Sequence, residues 1–108
     1  IYPKSLTPEI KLDLLDAIDD VVDIPLVLHG GSDNPDAEIR DACTRGINKV
    51  NISSDVKTAF YNGMREVLQN RKLLDPRLIV PAAMDAAKEL VRHKIDLFAS
   101  AGTTHHYS

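Results

Sequence analysis

Several features that mark secreted, membrane and nucleic-acid-binding proteins are missing from this sequence of 108 residues. Cys43 is the single cysteine, so no internal disulfide can form, and we expect a reducing, cytoplasmic setting. No apolar run approaches the roughly 20 residues that a membrane-spanning helix needs. The net charge of -3 provides no basic surface for nucleic acid. We therefore expect neither a membrane nor a nucleic acid as a partner.

The start of the chain also lacks familiar signals. It opens at Ile1 without a methionine, and no basic stretch precedes an apolar segment as in a signal peptide. Its length suits one small domain or one part of a larger domain. We expect a fragment or a processed piece of a longer protein.

The apolar residues that are present recur with two different spacings. Recurrence every three or four residues predicts four helices, while short apolar runs predict two buried strands. The breakers Pro3 and Ser5 predict a loop at the start, Asp75-Pro76 predicts a turn, and the small polar residues at the end predict a loose tail. The predicted helices cover residues 8–22, 35–45, 55–69 and 81–94, and the predicted strands cover 24–28 and 47–52. Thr7, Asp33 with Asn34, and Ser53 to Asp55 are the expected helix caps.

Two strands separated by one helix pair in parallel through a right-handed crossover. Two strands make a poor sheet, and a strand as apolar as 24–28 requires neighbours on both sides. The pattern therefore favours the closing portion of a (β/α) barrel whose earlier strands are absent from this sequence. A free-standing α/β fold of 108 residues is the weaker alternative.

The end of the first strand carries a histidine followed by two glycines and a serine. His29 can be a packed side chain at a strand end, or a metal ligand at the edge where barrel enzymes place their chemistry. Gly30 and Gly31 can serve a tight turn, or they can expose backbone N–H groups to an oxyanion. Residues 51–54 end the second strand at the equivalent place, so both loops would meet at one edge. The paired occurrence favours a phosphate site.

The remaining histidines and the cysteine have simpler interpretations. His93 near a helix end predicts a solvated position that favours the helix dipole. His105 and His106 lie in the polar tail, where a ligand role is not expected. Cys43 is interpreted as a small residue that is at least half-buried.

Two strand-end motifs carry a resemblance to a known family. The segment from Leu26 to Asp33, followed by Gly46 to Ile52, resembles the class II aldolases, and within them the tagatose-bisphosphate and related ketose-phosphate aldolases. The resemblance implies a zinc-dependent (β/α)8 TIM barrel, of which residues 1–108 are the C-terminal part: the last two strands plus the terminal helices. It also implies reversible cleavage of a ketose phosphate into dihydroxyacetone phosphate and an aldehyde, and a homo-oligomer, dimer or tetramer.

The resemblance assigns roles to individual residues. His29 would be one of three histidine ligands of Zn2+. Asn51 would form a hydrogen bond with the dihydroxyacetone part of the substrate near the metal. The other two histidines and the acid/base aspartate are expected upstream of this chain. The residues that would bind the substrate phosphate are Gly30, Gly31 and Ser32 in one loop, and Asn51, Ile52, Ser53 and Ser54 in the other.

One position departs from the family pattern. Bisphosphate-cleaving relatives have an arginine that holds the distal phosphate, and Pro81 stands at that place here. Because proline cannot bind a phosphate, we expect an aldehyde half without a terminal phosphate. Two other functions stay open: a phosphate-binding barrel such as an isomerase or epimerase, and a non-catalytic module that binds an anion.

Overall fold

The structure, a computed structural model that describes residues 8–107, contains two short parallel strands and four main helices. In chain order the elements are α1 (Leu12–Asp19), β1 (Leu26–Leu28), a 3-10 turn (Gly31–Asp33), α2 (Asp36–Thr44), β2 (Ile47–Val50), α3 (Ser54–Leu68), α4 (Pro76–Leu97) and a 3-10 turn (Thr104–Tyr107). The predicted loop at the start and the Thr7 cap lie outside the described residues. Among residues 8–107, no helix combines the length and the apolar character that crossing a membrane requires.

β1 and β2 pair in parallel, and α2 makes the connection between them, as the sequence predicts. Leu26 is opposite Ile47 and Leu28 is opposite Val50, with an irregularity in the register after Leu26. Because the strands are parallel, the loops that follow them leave the sheet at the same edge. This topology brings the loop after β1, which contains glycine and serine, next to the serine-containing loop after β2.

α1 is shorter than predicted, since it begins at Leu12 rather than Pro8. The N–H of Ile10 donates to Glu38 of α2 over 3.1 Å, in the segment just before the helix. Only Leu15 of its apolar residues is buried, whereas Val21 beyond its end is 80% exposed. The proline and glutamate typical of a helix start are present at residues 8 and 9, yet the helix begins only at Leu12.

α4 begins five residues earlier than the predicted 81–94, and Pro81 lies inside it. Asp75 is the N-cap: its carboxylate accepts from the N–H of Arg77 over 2.9 Å, and Pro76 occupies the first turn. The Arg77 side chain and its backbone N–H lower the pKa of the Asp75 carboxyl. The contact therefore contributes while Asp75 is ionised and is lost as the pH falls through that lowered pKa.

α3 and α4 pack at very short range around Gly63. A Cβ on Gly63 would lie 2.8 Å from the carbonyl oxygen of Ala82 and 2.8 Å from the Cβ of Ala86. Small residues on both helices therefore permit this approach. The buried apolar residues of the described chain are Leu15, Ile39, Ala42, Ala83 and Leu97.

The sheet is only partly covered. Val27 in the middle of β1 is 43% exposed, although a strand of a complete parallel sheet is buried on both faces. The tail after Ser100 is more ordered than predicted, since the N–H of His106 donates to the carbonyl of Thr103 over 3.1 Å.

Candidate functional site

The loop after β1, residues 29–34, is called here the first loop, and the loop after β2, residues 51–54, the second loop. Gly30 has a φ of 67°, a left-handed conformation that glycine adopts without steric cost. The side-chain amide of Asn34 donates to the Gly30 carbonyl over 3.1 Å and closes this turn. The turn role considered for Gly30 is therefore present in the structure.

Gly31 is required for a different reason, which is close approach to the second loop. It is buried, and a Cβ there would lie 2.5 Å from Cγ1 of Val50 and 3.2 Å from the carbonyl oxygen of Asn51. Its N–H donates to that same carbonyl over 3.0 Å, and the N–H of Asn51 donates to the Leu28 carbonyl over 2.8 Å. The first and second loops are thus joined backbone to backbone.

Ser32 makes a contact that local sequence patterns do not reveal. Its hydroxyl oxygen accepts from the N–H of Ser53 over 3.2 Å and from the N–H of Asp55 over 3.3 Å. Ser53 is the N-cap residue of α3, but its side chain makes no capping bond. Ser32 therefore caps α3 from another loop, 21 and 23 residues away in the sequence.

Ser32 can bind an anion only if its hydroxyl proton is free to donate. A serine hydroxyl has two lone pairs and one proton, and both of these bonds use the oxygen as acceptor. The proton is consequently available to donate to an oxyanion at the start of α3. Exposed N–H groups and the helix dipole favour negative charge at such a position.

His29 lies exposed at the end of β1, and the second loop holds its ring. Its Nδ1 is 3.0 Å from the side-chain nitrogen of Asn51, whose oxygen accepts from the ammonium group of Lys49. Lys49 and Asn51 are two residues apart, so they share a face of the strand. Lys49 is not among the site residues predicted from the sequence, although the alternation of side chains along a strand could have indicated that it lies beside Asn51.

The donor set decides what metal the described residues can hold. Protein zinc sites use three or four nitrogen, sulfur or oxygen ligands. Within residues 8–107, no three or more histidine, cysteine, aspartate or glutamate side chains come together as a metal site. An exposed, oriented imidazole at His29 fits one zinc ligand, and a complete site needs donors from outside these residues.

The remaining histidines and the cysteine lie outside the two loops. His93 is exposed but paired, with its Nε2 2.6 Å from the carboxylate of Asp36. The rings of His105 and His106 lie with centroids 4.0 Å apart in the tail. Cys43 is half-buried, and burial raises the pKa of its thiol.

A recess of about 350 Å³ opens beside His29. Residues 8–11, α1 and the end of β1 surround it, and Asn34 of the first loop contributes to its wall. A larger recess of about 670 Å³ lies between residues 9–14 and Glu38 with Arg45, and it contains none of the predicted site residues. The recess at His29 is therefore the one relevant to the site.

Comparison with known proteins identifies what this arrangement is similar to. The sequence model of the family described as class-II fructose-bisphosphate aldolase matches residues 1–103. The structure of the YdjI aldolase from Escherichia coli K12 is similar with a TM-score of 0.80 and 32% identity, covering 89% of this chain and 36% of that one. The fructose-bisphosphate aldolase Fba from Campylobacter jejuni is similar in fold, with a TM-score of 0.77, 21% identity and coverage of 92% and 36%.

The chain therefore spans 36% of the length of each of these two structures. The predicted fold class, α/β and part of a (β/α)8 barrel, is confirmed.

Proposed function

The chain belongs to the class II fructose-bisphosphate aldolase family, and from that premise we propose that the complete protein is a zinc-dependent aldolase. It would reversibly cleave a ketose phosphate into dihydroxyacetone phosphate and an aldehyde. Residues 1–108 would form the C-terminal part of a single barrel domain. We further propose a cytoplasmic homo-oligomer, a dimer or a tetramer.

The observation that carries this proposal is the joining of the two loops at the carboxyl edge of the sheet. His29 and Ser32 from the first loop lie against Asn51 and Ser53 from the second. A metal ligand and phosphate donors at one edge suit a substrate with a phosphate next to its reacting carbonyl. Binding energy from the phosphate can then orient the reacting carbons.

The phosphate would be held by backbone and hydroxyl donors. We assign this role to the first-loop residues Gly30, Gly31 and Ser32 and to the second-loop residues Asn51, Ile52, Ser53 and Ser54. Gly31 would contribute by the close approach of the loops, because its N–H donates to the Asn51 carbonyl. Ser32 is the best supported, because its oxygen accepts two N–H groups and its proton remains for the substrate.

His29 would supply one of the zinc ligands, and we expect two further histidines and the acid/base aspartate upstream. When bound, zinc supplies Lewis-acid polarisation of the substrate ketone. The side-chain nitrogen of Asn51 donates to Nδ1 and orients the His29 ring, and it can bond a substrate oxygen instead once that ring nitrogen binds zinc. The exposed ammonium of Lys49 keeps the Asn51 side chain in this orientation.

Zinc content and carbon–carbon cleavage test the proposal together. The full-length protein should bind about one zinc per chain and cleave ketose phosphates, and His29→Ala should lose both. His106→Ala, a tail histidine far from the two loops in sequence, serves as the matched control and should keep both. A wild type without zinc that still binds phosphate would instead favour an isomerase- or epimerase-type barrel. Phosphate binding without turnover of any ketose phosphate would favour a non-catalytic anion-binding module.

The identity of the aldehyde is a separate proposal. Pro81 is exposed inside α4, and its side chain offers no hydrogen-bond donor to a phosphate. We expect the enzyme to prefer an aldehyde half without a terminal phosphate. The measurement is kcat/KM for fructose 1-phosphate against fructose 1,6-bisphosphate and tagatose 1,6-bisphosphate. Equal or better turnover of the bisphosphates would refute this preference.

A further inference from the structure

Lys94 on α4 is the one buried charged side chain of residues 8–107, with 6% of its surface exposed. Its ammonium nitrogen lies 2.7 Å from a carboxylate oxygen of Asp55 and 3.8 Å from one of Asp36. A buried ammonium is costly unless it is paired and hydrogen-bonded. Burial of this lysine therefore depends on the two carboxylates.

The two carboxylates occupy equivalent places. Asp36 lies in the first turn of α2, directly after the first loop, and Asp55 lies in the first turn of α3, directly after the second loop. His93 also pairs with Asp36, over 2.6 Å. One turn of α4 thus contacts the beginnings of both helices.

The contact continues into the proposed phosphate site. The backbone N–H of Asp55 donates to the Ser32 hydroxyl, while its side chain holds Lys94. The Lys94 ammonium is buried and engaged by carboxylates, so it does not face the position of an oxyanion directly. Its influence on the site passes through Asp55 and Ser32.

We propose that Lys94 is a positioning residue that sets the spacing of the two phosphate-binding loops through Asp36 and Asp55. The inference rests on the phosphate site of the proposed function. Asp36, Asp55 and Lys94 would thus add a contact behind the loops to the direct bonds that Gly31 and Ser32 make between them. Among the described residues, Lys94 is the charged side chain that pairs with both Asp36 at the start of α2 and Asp55 at the start of α3.

The variant Asp55→Asn distinguishes two explanations, because they predict opposite changes in phosphate affinity. If the lysine charge attracts phosphate directly, removing the carboxylate frees that charge and strengthens binding. If Lys94 acts by position, the same change loosens the start of α3 and weakens binding. We expect weakening by about 10- to 100-fold, as for supporting residues that orient a site.

The experiment uses the full-length protein loaded with zinc. Dihydroxyacetone phosphate and inorganic phosphate are the probes, and dihydroxyacetone is the probe without phosphate. The variants are Asp55→Asn, Lys94→Met and the pair Asp55→Asn with Lys94→Met, which leaves no buried charge unpaired and so protects folding. Lys88→Met and Asp85→Asn remove the same charges from an exposed pair on α4 and are the matched controls.

The expected result is weaker binding of both phosphate probes by all three variants, with the affinity for dihydroxyacetone and the controls unchanged. The double variant should lose no more than Lys94→Met, because both changes break one contact. Tighter phosphate binding by Asp55→Asn would overturn the proposal. So would a lower melting temperature with unchanged phosphate affinity, the mark of a purely structural role.

The proposed function fails separately from this inference. A wild type that binds phosphate but cleaves no ketose phosphate contradicts the aldolase, while the variant pattern still decides the role of Lys94. A wild type that binds no phosphate overturns both.

Discussion

The first and second loops lie side by side, but they contribute to the site in different ways. The first loop contributes specific residues: a left-handed Gly30, a buried Gly31 and the Ser32 hydroxyl that caps α3. The second loop contributes mainly backbone groups, which receive those contacts, together with one side chain, Asn51. Similar sequences of small polar residues therefore have unequal structural roles.

This inequality has a physical origin. Backbone N–H and carbonyl groups are the same for every residue but proline, so a loop that contributes them tolerates side-chain changes. A loop that contributes a glycine gap and a hydroxyl oxygen depends on those residue types. Substitutions in the first loop should accordingly cost more stability than substitutions in the second.

The largest effect is expected from Gly31→Ala. A methyl group there would overlap Val50 Cγ1 at 2.5 Å and press against the Asn51 carbonyl, forcing the two loops apart. We expect a loss of about 1–3 kcal/mol in the free energy of unfolding, measured by urea denaturation of the full-length protein.

Two further variants identify the cause of that loss. At Gly102 a Cβ meets no atom within 4 Å, so Gly102→Ala carries only the cost of its left-handed φ of 72°, about 1 kcal/mol. In the Gly31→Ala background, Val50→Ala removes the overlapping atom, and the double variant should be less destabilised than the sum of the singles. Additive losses would show that the loops are not in tight contact at Gly31.

Asn51→Ala is the substitution in the second loop with the largest expected effect. It removes the contact with His29 while leaving the Asn51 backbone bonds in place. We expect zinc affinity of the full-length protein to fall by less than the roughly 10- to 100-fold typical of a supporting residue, because the lost orienting contact also frees Nδ1; competition with a chelator measures it. Asn48→Ala, at the other end of β2, is the control and should keep its zinc. Equal losses in both variants would contradict an orienting role for Asn51.

Contacts within short segments were the predictable part of the fold. The apolar runs and helical spacing predicted both strands and the centres of all four main helices, and parallel pairing followed from the order of elements. The predicted start of α4 is wrong because Asp75-Pro76 suits a turn and a helix N-terminus equally well.

Contacts between distant segments were not predictable. The segment before α1 bonds to Glu38 of α2, and the cap of α3 comes from Ser32 in another loop. A lysine near a helix end indicates solvent exposure, yet Lys94 is buried because Asp36 and Asp55 meet it there. Each of these features needs the arrangement of the helices around the sheet, which spacing along one element does not encode.

Ser32→Ala is expected to have an intermediate effect on stability. It removes the acceptor of two N–H groups at the start of α3, and loss of a helix cap costs about 1 kcal/mol. It also removes the proposed donor to phosphate, so affinity for inorganic phosphate should fall about tenfold. Thermal unfolding with and without phosphate measures both effects. A variant as stable as the wild type would mean that Ser32 does not cap α3.

The smallest effect is expected from Ser53→Ala in the second loop. Ser53 is exposed and its side chain makes no capping bond, so the free energy of unfolding should change by less than about 0.5 kcal/mol. Phosphate affinity should still fall, by about threefold to tenfold, if its hydroxyl donates to the substrate as proposed. Ser32→Ala would then lower stability and affinity together, whereas Ser53→Ala would lower affinity alone. A loss of stability in Ser53→Ala equal to that in Ser32→Ala would show that the two loops contribute equivalently after all.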